Sequence, residues 1–324
     1  MSPRPSPPLS VLESCRFVAE RSRSVRIDRE RVEDFCHRLA KQKVEVPAWD
    51  FQHHFFDGTE RTVNYLLVLD GLNFCFWPEP GWTIEYRGEV LRSYFALAAS
   101  LKRAVEEGLP ILEAEHLREI TLEELEHIFR GKGKAPLLEE RLHVLREIGE
   151  VLAERYGGQA SSLIEKAGGR AVDLVWTLAE DFPSFRDEAS YKGHPVRFYK
   201  RAQIFVADLH RSFGGRGWGD LEGMEELTVF ADYKLPQVLR EVGILRYAPA
   251  LARKVNGRIP LPAGCEEEVE IRANTVWAAE LIRRSLEGMG ISLRAFELDS
   301  ILWEMGQREE FKARPHHRTL TVFY

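Results

Sequence analysis

Apolar residues recur three or four positions apart along most of this chain, and this spacing predicts a mainly helical protein. The first helix is predicted to begin at Ser10, because Ser10-x-x-Glu13 has the residue types and spacing of a capping box. A second helix is predicted from Asp28, with apolar residues on one face and charges opposite. Further helices are predicted at residues 91–107, 137–156, 160–166, 171–178, 199–213, 235–242, 248–255, 275–287 and 293–305.

One region lacks the helical spacing. Residues 62–76 contain a continuous apolar run at 65–68, which predicts a buried strand. Residues 82–90 are expected to pair with it, and residues 86–88 would form a turn. The glycine cluster at residues 214–219 follows a helix instead of a strand, so it predicts a flexible turn and not a phosphate-binding loop.

The chain shows no internal repeat and no long linker, so residues 9–324 are predicted to form one compact domain. Gly157-Gly158 suits the end of the helix at 137–156, and any division into two layers should fall near Gly158. Thr121-x-x-Glu124 predicts another helix start. Residues 1–8 are rich in Pro and Ser without an apolar segment, which predicts a loose tail and not a secretion signal.

Composition narrows the class of protein. The 324 residues are 44% hydrophobic and 30% charged, enough to bury a substantial core. Every apolar run is far shorter than the roughly 20 residues that span a bilayer, so no membrane segment is expected. The four cysteines have no close pairing, which favours a reducing cytoplasm. Neither Cys-x-x-Cys nor His-x-x-x-His spacing occurs, so we expect no metal and no cofactor.

The formal net charge is −6, from 45 Lys and Arg against 51 Asp and Glu. A general nucleic-acid binder neutralises many phosphates, so this balance argues against a polyanionic partner. A small substrate with a single phosphate remains compatible.

A segment that could bind a flat ring follows the apolar run at residues 65–68. Asp70 and Asn73 stand there among aromatic residues, including Phe74. Aromatic faces can stack on a flat polar ring, and a carboxylate and an amide can bind its edge. The alternative for this segment alone is a strand that enters an ordinary packed turn.

Several separated motifs make the chain resemble the queuosine salvage protein family. The resemblance extends from about Val11 to Tyr324, and the final motif is His317-Arg318 followed by Tyr324. The other motifs are VLDGLNFCFWP (68–78), YRG (86–88), FPSFRD (182–187), YKRAQIFVAD (199–208), FADYKLPQVL (230–239) and EIR (270–272). The resemblance implies an N-glycosidase that releases the 7-deazaguanine base queuine from queuosine 5′-phosphate. It also implies a compact fold related to helix-hairpin-helix DNA glycosylases, with a small β-sheet.

Asp232 is the catalytic candidate. It directly precedes a predicted helix, and in an arbitrary sequence it would be a simple N-cap. The same position would hold a carboxylate rigid and ionised, which suits it to stabilise an oxocarbenium ion or to orient water. The match of residues 230–239 to the family favours the catalytic role.

The substrate-binding candidates carry less specific signals. Lys200 is the predicted phosphate ligand. Arg201 is the next residue on the same helix, so its side chain projects in a different direction, and it is expected in a structural ion pair. Arg272 is a second phosphate candidate, although both FRD and EIR motifs most often indicate salt bridges. Tyr233 and Trp303 are candidates for the pocket wall, with core burial as the alternative for Trp303. The terminal motif is equally well explained by a short strand packed on the sheet.

The predicted reaction is hydrolysis of the N-glycosidic bond, with Asp232 at the ribose, Asp70 and Asn73 at the base edge, Phe74 stacked on the base and Lys200 on the phosphate. A 7-deaza base has carbon in place of N7, so the leaving group must be stabilised through its other heteroatoms. Two alternatives stay open, a DNA or RNA base glycosylase of the same fold and a noncatalytic nucleoside-binding or tRNA-associated protein. No nucleic-acid or membrane partner is expected.

Overall fold

The computed structural model describes residues 10–42, 45–78 and 81–324, and over these the chain is mainly helical, as predicted. The predicted tail, residues 1–8, lies outside the described residues. The helices of the first half are α1 (Val11–Ala19), α2 (Arg29–Lys41), α3 (Glu60–Gly71), α4 (Ser93–Glu106), α5 (Ala114–Glu119), α6 (Leu122–Ile128) and α7 (Leu138–Arg155). Those of the second half are α8 (Ser161–Lys166), α9 (Ala171–Asp181), α10 (Lys200–Ser212), α11 (Lys234–Glu241), α12 (Pro249–Asn256), α13 (Glu266–Gly288) and α14 (Ala295–Met305).

The strands form three separate antiparallel pairs. They are β1 (Val25–Ile27) with β6 (Leu245–Tyr247), β2 (Thr83–Tyr86) with β3 (Glu89–Arg92), and β4 (Glu188–Tyr191) with β5 (His194–Arg197). The turn predicted at residues 86–88 is confirmed, because Arg87 and Gly88, with φ of 50° and 83°, join β2 to β3. The two strands pair with each other and not with residues 62–76.

The strand predicted within residues 62–76 is wrong, because residues 60–71 form helix α3. Every residue from Thr62 to Gly71 is buried, so the helix shows no polar face and its sequence shows no helical period. A short apolar run of this kind does not distinguish a buried strand from a buried helix. Thr59 begins the helix by accepting a hydrogen bond from the Arg61 N–H.

Other boundaries differ in smaller ways. The Thr121 capping box forms as predicted, whereas Ser10 has a left-handed backbone, with φ of 57°, and does not cap α1 through its side chain. Helix α13 begins at Glu266, well before the predicted residue 275. Residues 317–324 form no strand. The backbone oxygen of Arg318 instead accepts a hydrogen bond from the Leu261 N–H, and that of Tyr324 accepts one from the Cys75 N–H. No helix in the described part of the chain is both long and apolar enough to cross a membrane.

The C-terminal end of α3 is held by three buried cations. Arg201 donates to the carbonyl of Gly71 and Lys200 to the carbonyl of Asn73, while Arg141 of α7 donates to the carbonyls of Leu72, Phe74 and Cys75. A helix end leaves its last carbonyls without intrahelical partners, and burial makes such groups costly unless they are bonded. These side chains therefore fix the backbone of residues 71–75, the segment that carries the predicted ring-binding residues.

We predict that Arg141→Met lowers the free energy of unfolding by about 3 kcal/mol or more, because methionine keeps the apolar stem but removes the buried donor to the carbonyls of Phe74 and Cys75. Urea denaturation would measure the change. Arg146→Met on the same helix is the matched control, since exposed Arg146 makes one bond to the Ile120 carbonyl and should cost about 1 kcal/mol or less. Equal losses in both variants would contradict the role given to Arg141.

Candidate active site

A pocket of about 460 Å³ brings together most of the predicted site residues. Its volume falls within the usual range for small-molecule sites. Among its lining residues are the predicted Asn73, Phe74, Lys200, Asp232, Tyr233 and Trp303. A larger, more open groove of about 990 Å³ near Phe35 and Met305 has none of the predicted residues among its described lining.

Asp232 lies at the N-terminus of α11, as predicted. Its Oδ1 accepts hydrogen bonds from the N–H groups of Lys234, at 2.7 Å, and Leu235, at 2.9 Å. Burial raises the pKa of the Asp232 carboxyl above its usual 3.8, and the charge of Lys200 opposes that rise. The hydrogen bonds of the described residues leave Oδ2 available, so a rigidly held carboxylate presents one oxygen to the pocket.

Lys200 begins α10 and is only 5% exposed. Its Nζ donates to the Asn73 carbonyl at 2.8 Å. Burial lowers the pKa of Lys200 to about 8, although the charges of Asp232, Asp70 and Asp299 act in the opposite direction. The ammonium group therefore lies between the segment that ends α3 and a group of carboxyls that includes Asp232.

Three further carboxyls are buried close to this lysine. Burial and the charge of Asp208 raise the pKa of Asp70 well above its usual value, and burial raises that of Asp208 to about 6. Asp299, whose Oδ1 accepts from the Phe230 N–H at 2.7 Å, also has a strongly raised pKa because it is buried. Asp70 and Asp299 therefore favour the protonated form near neutral pH, whereas Asp208 has a cationic partner of its own in Arg211, 3.8 Å away. Asp232 is thus the better candidate for the charged partner of Lys200.

Asp70 does not line the pocket. Its side chain is fully buried, and neither carboxyl oxygen has a hydrogen-bond partner among the described residues. A direct contact between Asp70 and a bound ring is therefore absent from this geometry, whereas Asn73, 8% exposed, does line the cavity. Asp299, which sequence reasoning missed, lies one helical turn before Trp303 on α14, and that spacing could have identified it.

Phe74 is buried between two guanidinium groups. The guanidinium carbons (Cζ) of Arg141 and Arg201 lie 4.3 Å and 5.1 Å from the centroid of the Phe74 ring. The ring is fully buried, so this packing does not favour the predicted stacking of Phe74 on a ligand. The half-buried aromatic residues that line the pocket are Phe76, Trp77, Tyr94, Phe95, Tyr233 and Trp303.

Tyr94 and Phe95 carried no signal in the sequence, because they stand in an ordinary apolar helix. They become wall residues only through tertiary contact with Trp303, whose ring centroid lies 5.8 Å from that of Tyr94 and 5.6 Å from that of Phe95. The hydroxyl of Tyr94 also lies 2.8 Å from Nε2 of His54. These contacts give one side of the pocket a fixed aromatic wall.

Arg272 is engaged in a buried ion pair and does not line the pocket. Its two terminal nitrogens bond to both oxygens of Asp187, at 2.9 Å and 2.6 Å, and Glu268 lies 3.7 Å away. The predicted salt-bridge alternative is thus confirmed, and it joins the FRD motif to the EIR motif. The Nε of Arg272 donates to the carbonyl of Ala231, at 2.9 Å, and so fixes the backbone directly before Asp232.

The C-terminal residue belongs to the same arrangement. The hydroxyl of Tyr324 donates to Glu268 at 2.7 Å, its ring lies 4.3 Å from the guanidinium carbon of Arg272, and the residue lines the pocket. The described residues contain no group of three His, Cys, Asp or Glu side chains arranged to hold a metal ion.

Residues 53–324 match the family described as queuosine salvage protein. The chain belongs to this family. A relative from Sphaerobacter thermophilus, named queuosine 5′-phosphate N-glycosylase/hydrolase, is 50% identical over 320 residues, which cover 99% of both chains. A mouse relative with the same name is 38% identical and covers 98% of this chain and 99% of its own. The family resemblance seen in the separated motifs is therefore confirmed along almost the whole sequence.

We predict that Phe74→Leu lowers the free energy of unfolding by roughly 2–3 kcal/mol, because it removes a buried ring and two desolvated cation–π contacts. Phe95→Leu, a change at a half-buried wall position, should cost clearly less. Chemical denaturation of the two variants beside the parent would measure both values. A Phe74→Leu protein as stable as the parent would contradict the structural role of this ring.

Proposed function

We propose that this protein hydrolyses the N-glycosidic bond of queuosine 5′-phosphate and releases queuine for salvage. The observation that carries the proposal is Asp232, a carboxylate fixed on a helix N-terminus inside an aromatic-walled pocket of suitable size. The names of relatives that match 98–99% of the chain support the same reaction and the same substrate.

Asp232 is the proposed catalytic residue. Cleavage of an N-glycosidic bond places positive charge on C1′ and the ring oxygen of the ribose, and a nearby carboxylate stabilises that charge. Oδ1 is already bonded to two helix N–H groups, so Oδ2 is the atom that would face C1′ or an attacking water. Direct activation of water and formation of a covalent ribosyl ester are both compatible with this placement.

The position of Lys200 favours a role beside Asp232 over the predicted contact with phosphate. Its ammonium is almost fully buried and already donates to the Asn73 carbonyl, so a phosphate would have to displace that hydrogen bond to be bound by it. We propose that its positive charge keeps Asp232 ionised despite burial, because an adjacent cation favours the charged form of a carboxylate.

Recognition of the base is assigned to Asn73 and to the aromatic wall. The Asn73 side chain can both donate and accept, which matches the polar edge of a 7-deazaguanine. Trp77, Tyr94, Phe95 and Trp303 offer surfaces for the faces of the ring. In this proposal Asp70 is a buried residue near Lys200 and does not contact the base.

A small nucleotide is the proposed substrate, and the net charge of −6 supports this choice over a nucleic-acid polymer. We also propose a cytoplasmic location, since all four cysteines are free and Cys15, Cys36 and Cys75 are buried thiols.

We predict that Asp232→Asn removes most release of queuine from queuosine 5′-phosphate, with at least about a 100-fold loss of kcat, because the amide keeps the shape but not the charge. Mass spectrometry of the free base measures turnover. Asp220→Asn at an exposed turn is a matched control for the chemical change. Near-parental turnover by folded Asp232→Asn protein would refute the assignment.

The pH dependence of kcat provides a separate prediction. Activity should fall at high pH as Lys200 loses its proton near its pKa of about 8, and it should fall at low pH as Asp232 becomes protonated. Lys200→Arg should move the high-pH limb upward, since a guanidinium keeps its charge over this range. Profiles of both proteins, with circular dichroism as the fold control, test this; a high-pH limb that stays in place would exclude Lys200 as its source.

A further inference from the structure

Two lysines other than Lys200 line the pocket that contains Asp232. Lys234 is the first residue of α11 and is partly buried, and exposed Lys312 follows the short 3₁₀ turn at Glu309–Phe311. Burial has the largest effect and lowers the pKa of Lys234; the charge of Asp232 raises it, and the charge of Lys312 lowers it. The pocket therefore has a second concentration of positive charge, separate from the buried ammonium of Lys200.

The charge of Lys234 is not neutralised by a contacting carboxylate. Its Nζ bonds to the amide oxygen of Gln237 at 3.1 Å, and across the described ranges no carboxylate forms an ion pair with it. Lys312 pairs with Glu309 at 2.8 Å, but that carboxylate is 90% exposed and such surface pairs are weak. An anion that bound here would contact Lys234, which forms no ion pair within the described residues, and Lys312, whose surface ion pair with Glu309 is weak.

The stem of Lys234 is held in place by a glycine. A Cβ added to Gly306, directly after α14, would lie 2.6 Å from Cδ and 2.9 Å from Cγ of Lys234. The lysine thus runs closely along the backbone at Gly306, which limits the positions open to its ammonium. A side chain ordered in this way loses less entropy when it binds a ligand than a free surface lysine does.

We infer that Lys234, assisted by Lys312, binds the 5′-phosphate of the nucleotide and so determines the preference for phosphorylated over unphosphorylated substrate. This inference rests on the proposed function. The ribose must place C1′ at Asp232, and its C5′ substituent can reach only cations within one sugar of that carboxylate. Lys234 meets this condition, since it lines the same pocket as Asp232 and the charge of Asp232 acts on its side chain.

The test compares kcat/KM for queuosine 5′-phosphate with kcat/KM for queuosine in the full-length protein. In Lys234→Met the ratio of the two values should fall about 10- to 100-fold, as expected for loss of a charge-assisted contact to phosphate. In Lys312→Met it should fall less, because Lys312 is more exposed and shared with Glu309. Lys134→Met is the matched control, since Lys134 is also exposed and paired with a glutamate, Glu126, but lies outside the pocket.

Two further measurements keep the inference testable if Lys234→Met is poorly folded or turns over queuosine too slowly. Gly306→Ala retains both lysines but displaces the Lys234 stem, so it should lower the same ratio. Ribose 5-phosphate, the sugar product of the proposed hydrolysis, should inhibit the parent, and its inhibition constant should rise in the lysine and Gly306 variants.

The outcomes separate this inference from the function on which it rests. If the parent releases queuine while Lys234→Met and Gly306→Ala keep the parental ratio and inhibition constant, the phosphate assignment is wrong and the N-glycosidase function stands. A ratio that falls in Lys200→Met but not in Lys234→Met would likewise overturn it in favour of Lys200. If the parent releases no base from either substrate, the proposed function itself fails.

Discussion

Three buried cations bonded to five consecutive carbonyls hold the segment on which the pocket is built. Arg141, Lys200 and Arg201 together bond to the carbonyls of residues 71–75, where α3 ends. Burial lowers the pKa of Arg141 to about 9 and that of Arg201 to about 10, so the cost of desolvating these charges is substantial. The carbonyl oxygens at the end of α3 and directly after it accept these hydrogen bonds, which offsets part of that cost and fixes the direction of the chain.

A second anchor holds the opposite side of the pocket. Arg272 is paired with Asp187 and donates to the carbonyl of Ala231, so a buried ion pair anchors the backbone directly before Asp232. Lys200 connects the two sides, because its Nζ bonds to the Asn73 carbonyl and its charge acts on Asp232. The candidate catalytic carboxylate is thus positioned by helix N–H groups, by a neighbouring cation and by a rigid backbone. Such preorganisation is what electrostatic stabilisation of a transition state requires.

Local sequence signals predicted most helices and the placement of Asp232, because amphipathic spacing and helix N-termini depend on neighbouring residues alone. They failed for α3, whose burial on all sides removes the periodic signal. They also gave no sign that Asp70 lies behind the pocket surface, or that Phe74, which lines the pocket, packs against two guanidinium groups. Whether an aromatic ring faces a cavity or two arginines depends on residues about 70 and 130 positions away along the chain, Arg141 and Arg201.

The central claim is that Asp232 faces the anomeric carbon of a nucleotide held between these two anchors. The most direct measurement is a crystal structure of Asp232→Asn protein bound to queuosine 5′-phosphate. We expect the side chain of residue 232 to contact C1′ of the ribose, with the base against Asn73 and the aromatic wall that includes Trp303. A nucleotide bound in another cavity, or with its C1′ turned away from residue 232, would contradict the account.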